Sequence, residues 1–125
     1  MTIKSAGKKY LCLVYFESGA LEKLSPAERV VLDRDSLAYD AKLQKDGCFV
    51  AAEALQSPEK ARTVHVRSGK MIVTDGPFAE TKEQLAGFIL VTARTHSQAI
   101  KVAAGIPLAK IGRVEVRPIY HIPVR

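Results

Sequence analysis

The spacing of apolar and polar positions changes several times along the chain, and each change marks an element. Lys9 to Phe16 (KYLCLVYF) is a nearly unbroken apolar run of strand-favouring residues. Continuous rather than alternating apolarity predicts a central strand covered on both faces. A polar loop follows, and Ser25-Pro26-Ala27-Glu28 then opens a helix. Ser25 suits the cap, Pro26 suits the first helical position, and Glu28 completes a capping box. Ala27, Val30, Val31, Leu37, Ala38 and Ala41 recur at helical spacing and form the apolar face. Gly47 stops the helix by accepting a left-handed conformation.

Cys48 to Leu55 alternates imperfectly, with Phe49, Ala51 and Glu53 expected on one face. Arg62 to Arg67 sets Val64 and Val66 on one side and Thr63, His65 and Arg67 on the other. Ser68-Gly69 predicts a tight hairpin turn into Lys70 to Thr74. Asp75-Gly76-Pro77-Phe78 is a rigid turn, and Leu85 to Ala93 is a second continuous apolar strand. Thr95-x-x-Gln98 opens a shorter helix with Ala99, Val102 and Ala103 on its apolar side, ended by Gly105 and Pro107. Arg113 to Tyr120 is the last strand, and Pro118 predicts an edge or terminal position for it.

This order predicts an α+β fold, a ferredoxin-like split βαβ with an inserted hairpin. Residues 1–8 are expected to form an N-terminal tail and residues 9–125 a single domain. Two helices cover only one face of such a sheet, yet Tyr10–Phe16 and Leu85–Thr92 are apolar on both. An uncovered apolar face of that kind marks an interaction surface. The expected partner is a second copy, giving a homodimer.

A formal charge of +6 changes the picture little, because the basic residues are dispersed and the lysine pair Lys8-Lys9 is their longest cluster. The expectation is a solvated basic surface that favours anionic ligands, with no specific nucleic-acid site. An RNA-binding split βαβ would need stacking aromatics, and Ala86-Gly87-Phe88-Ile89-Leu90-Val91 offers Ile and Leu there. No apolar stretch approaches the roughly 20 residues of a spanning helix, and the basic start lacks a signal-peptide core. No membrane association and a cytoplasmic location are therefore expected. Cys12 and Cys48 suggest no disulfide framework and fit small buried hydrophobes.

Chemistry rests on few residues. Asp75 enters a Gly-Pro turn, where a carboxylate is either a turn former or a rigidly held acid or base. Glu53 interrupts an apolar strand. It is either a structural or solvent-facing carboxylate or, if it lines a cleft, a group whose pKa burial raises. Arg117 on the last strand is its expected ion-pair partner. His65, His96 and His121 lack second ligands at metal spacing, and no Gly-rich phosphate loop or nucleophile elbow occurs. Neither metal nor cofactor is expected.

The segment Val73-Thr74-Asp75-Gly76-Pro77-Phe78-Ala79-Glu80-Thr81-Lys82-Glu83-Gln84 resembles the signature of the DGPF branch of YCII-related proteins. Lys9-Tyr10, Glu53-Ala54-Leu55-Gln56, Gly87-Phe88, Ile106-Pro107 and Val114-Glu115-Val116-Arg117-Pro118 agree, so the likeness spans about Lys9 to Pro118. The resemblance implies a dimeric α/β-barrel-type assembly in which two sheets pack around a cleft. It adds weight to Asp75 as a catalytic candidate beside Glu53, and Arg117, Pro77 and Phe78 are the ligand-binding candidates. A histidine suspected of acid–base chemistry in the YCII branch falls, counting back from Gly47, on Ser36. The resulting expectation is a homodimer that binds a small anionic organic molecule in an intersubunit cleft, with carboxylate acid–base chemistry. The alternative is a non-enzymatic interaction or regulatory module of the transcription machinery, because some relatives are linked to sigma factors.

Overall fold

The computed structural model describes residues 7–79 and 81–123, so the expected tail at residues 1–8 lies almost wholly outside the described residues. Its strands are β1 (Lys8–Glu17), β2 (Phe49–Ala54), β3 (Arg62–Arg67), β4 (Lys70–Asp75), β5 (Glu83–Ala93) and β6 (Arg113–Pro118). The helices are α1 (Pro26–Lys45) and α2 (His96–Ala104), with short 3₁₀ turns at Pro58–Lys60 and Pro107–Lys110. The fold is mixed α+β with two antiparallel sheets, and the strands close no barrel within the chain.

Local signals set the element ends. The Ser25 side chain accepts from the Glu28 N–H at 3.1 Å, and Glu28 Oε1 accepts from the Ser25 N–H at 2.8 Å. Two orphan donors of the first turn are thereby satisfied. Thr95 caps α2 by accepting from the Gln98 N–H at 3.1 Å. The hairpin between β3 and β4 turns on Ser68 and Gly69, both at positive φ (50° and 76°), the conformation a two-residue hairpin loop requires.

The four-stranded sheet runs β2-β5-β1-β6. Tyr10 pairs with Val91, Cys12 with Ile89 and Val14 with Gly87, and on the other side of β1 Cys12 and Val14 meet Val116 and Val114. Tyr10, Cys12, Val14, Ile89, Val91 and Ala93 turn to the helices and form the core with Leu43, Ala99, Ala103 and Ile106. The alternate residues Leu11, Leu13, Tyr15, Phe88 and Leu90 lie on the opposite, helix-free face and are half-buried. β6 is an edge strand, as Pro118 predicts.

Two expectations are corrected here. The apolar set on α1 does not face the sheet: Ala27, Val30, Val31, Leu37, Ala38 and Ala41 are all exposed. The inward side carries Leu32, Ser36, Tyr39, Asp40 and Leu43, of which only Leu43 is fully buried. Both sides of α1 are mixed, so its rotation follows its anchors. Leu43 enters the core, and the Tyr39 hydroxyl donates to the Val102 carbonyl at 2.6 Å. In β2, the expected common face of Phe49, Ala51 and Glu53 is broken by a bulge between Phe49 and Ala51. Phe49 pairs with Val91 on the helix side, whereas Glu53 pairs with Phe88 on the open side.

Candidate functional site

α1 rests on β2 and the Pro107–Lys110 turn, with Tyr39 and Leu43 packed at the core, and its residues from Arg29 to Asp40 border a gap above the sheet. The space between is a groove of about 670 Å³. Val14, Ala52, Ala54 and Ile89 form its sheet wall, and Ile106, Pro107 and Leu108 close one end. Its helix wall is mixed: Arg29, Asp33, Ser36 and Asp40 recur at spacings of three and four residues, one face of a helix, beside Leu32, Leu37 and Tyr39. An apolar cavity with a few convergent polar groups is the usual form of a small-molecule site.

Electrostatics single out Asp40. It is half-buried, and removal from water pushes its carboxyl above the ordinary aspartate range because the charged form loses hydration. Burial likewise raises the Tyr39 hydroxyl, which is already committed to Val102. The thiols serve packing. Cys12 is wholly buried, with a pKa pushed up to about 11 by desolvation, and Cys48 Sγ donates to the Leu43 carbonyl at 3.7 Å. Neither is a nucleophile in its present surroundings.

The residues expected from sequence lie elsewhere, and the structure does not bring them together. Asp75 ends β4, with its side chain 90% exposed and paired to Arg62 Nε at 3.1 Å. Pro77 and Phe78 follow in the same exposed turn. Glu53 belongs to the groove rim but projects toward the open face beside Phe88. The expected Glu53–Arg117 ion pair does not form. β2 and β6 are opposite edges of the sheet, three strand spacings or roughly 14 Å apart. Arg117 instead lies 3.7 Å from Glu115. Glu80, within the resemblance motif, lies outside the described residues.

Sequence reasoning missed Arg29, Asp33 and Asp40. The available signal was their spacing with Ser36, which a hydrophobic-face reading of the same helix passed over. Among the described residues no three His, Cys, Asp or Glu side chains cluster as a metal site, and no helix is long and apolar enough to cross a membrane.

Comparison with known proteins finds a family match over nearly the full length of the chain. Residues 8–123 match the YCII-related domain. An uncharacterised protein of Rhizobium meliloti (strain 1021) is 34% identical over 112 residues, covering 88% of this chain and 90% of that protein.

Proposed function

The chain belongs to the YCII-related family, and from that premise we propose that it binds a small organic acid in the groove between α1 and the sheet. In this reading the protein works as a ferredoxin-like homodimer and Asp40 handles a proton. The observation that carries it is the polar stripe Arg29–Asp33–Ser36–Asp40 facing an apolar wall. Arg29 is the cation among the lining residues and lies in the first turns of α1, where the helix dipole also favours an anion. The ligand's acidic group binds there, and its apolar body lies along Ala52, Ala54 and Ile89. Asp40, kept more readily protonated by burial, meets the far end as acid or base. Ser36, the position to which the resemblance assigns the YCII histidine, sits between them on the same wall.

Asp75 and Glu53 remain catalytic candidates only if a second subunit encloses them, since Asp75 is open to solvent in the single chain. The DGPF turn then belongs to the assembly rather than to the groove. The homodimer itself is supported by the helix-free sheet face of Leu11, Leu13, Phe88 and Leu90, which two helices on the other side leave uncovered. A second reading, the interaction module, is favoured by the outward apolar residues Val30 and Val31 of α1.

The deciding experiment is a screen of small carboxylic acids by protein-observed NMR, repeated on Arg29→Ala and Asp40→Asn. Binding that shifts amides of Arg29–Asp40 and Gly87–Ile89, and is lost in Arg29→Ala, supports the groove. No binding at millimolar concentration, or binding indifferent to Arg29, sinks it.

A further inference from the structure

The β3–β4 hairpin is an arm, a two-stranded sheet separate from the four-stranded one among the described residues. Its own base is closed by the Gly76 N–H, which donates to the Ala61 carbonyl at 2.8 Å, and by the Thr63 hydroxyl, which donates to the Gly76 carbonyl at 2.9 Å. The pairing Val64↔Val73 and Val66↔Met71 sets four apolar side chains on one face. Thr63, Thr74, His65, Ile72, Arg67 and Lys70 share the other. The apolar face is uncovered: Val64 is 59% exposed, Val66 64%, Met71 70% and Val73 50%. A two-stranded hairpin on its own is marginal in water, and a large contiguous exposed apolar patch marks an interaction site.

We propose that this face of the arm packs against a second copy of the chain, so that each protomer of the dimer is clasped by its partner's arm. The inference rests on the homodimer of the preceding reading and adds the element that makes it stable. A standard interface buries about 800 Å² per partner. The open sheet face presents Leu11, Leu13, Phe88 and Leu90 already half-buried within their own protomer, whereas the four apolar side chains of the arm are each half or more exposed and so have more surface left to bury. The arm springs from the ends of β2 and β5, the latter a strand of that face, and carries the more exposed apolar side chains. Twofold symmetry uses every such surface twice, so the arm adds its apolar face to the interface on both sides.

The paired variant Val66→Lys, Met71→Glu tests this, because opposite charges on a cross-strand pair keep the arm itself intact. Light scattering on the wild type should give twice the chain mass of 13.7 kDa at micromolar concentration, and the variant should give the single mass. Ile72→Glu, on the opposite face of the arm, should remain dimeric. Hydrogen exchange should show Val64–Val73 amides more protected in the wild type than in the paired variant, whose arm keeps its strand pairing but loses its cover. A paired variant that stays dimeric overturns the arm's role. If Leu13→Lys then dissociates that dimer, the sheet-face reading stands without it. A monomeric wild type overturns both.

Discussion

Tyr39 of α1 lies directly over Gly105, the residue that ends α2, and its hydroxyl reaches past that glycine to the Val102 carbonyl at 2.6 Å. A Cβ at position 105 would overlap the phenol oxygen and ring. Gly105 has an ordinary helical φ of −83°, so the glycine is required by close approach and not by backbone conformation. This bond links the two helices and, with Leu43, holds the end of α1 from which the groove opens.

Gly105→Ala should therefore cost about 2 kcal/mol, through displacement of Tyr39 and loss of its bond. Tyr39→Phe, which keeps the ring, should cost about 1 kcal/mol. Combining them should cost less than the sum, since both remove the same bond. Urea denaturation of the three variants checks the ordering.

Asp40 makes stability depend on pH. Its carboxyl is raised in the folded state by burial. Its favourable contribution is therefore complete below the unfolded value near 3.8 and is lost as pH rises through the higher folded value. Asp40→Asn should melt higher than the wild type at pH 7, and the gap should close below pH 4. A gap that widens in acid would contradict the assigned burial.

Thr92 is 6% exposed, and its hydroxyl oxygen has no hydrogen-bond partner among the described residues. Thr92→Val removes an unsatisfied polar atom at nearly constant shape, so it should raise stability by about 1 kcal/mol. Thermal melting is the check, and a lowered midpoint would mean that a partner group satisfies the hydroxyl in the assembled protein.

Asp75→Asn and Glu53→Gln should each leave folding stability within about 0.5 kcal/mol, because both side chains are exposed and the Arg62–Asp75 pair sits at the surface. Any loss of ligand binding in these variants is then chemical in origin. Calorimetric titration alongside melting separates the two effects.

Element ends were legible in the sequence because their causes are local. The capping box of Ser25 and Glu28, the cap at Thr95, the stop at Gly47 (φ 82°) and the turn at Ser68-Gly69 each act within a few residues. The two apolar strands β1 and β5 were legible as the sheet's centre, since only central strands need to be apolar on both sides. Pro118 alone placed β6 at an edge, by lacking the donor a central strand uses.

Tertiary structure decided what no short segment encodes. The rotation of α1 was set by two anchors, Leu43 in the core and Tyr39 on Val102, which outweigh six weakly apolar outward residues. The bulge after Phe49 reversed the relation between Phe49 and Glu53, because one extra residue in a strand moves everything beyond it to the opposite face. Strand order then put Glu53 and Arg117, expected to pair, on opposite edges of the sheet. The groove with Asp40 arises from the same cause. It is a space between α1 and the sheet, and such a gap exists only between elements distant in the chain.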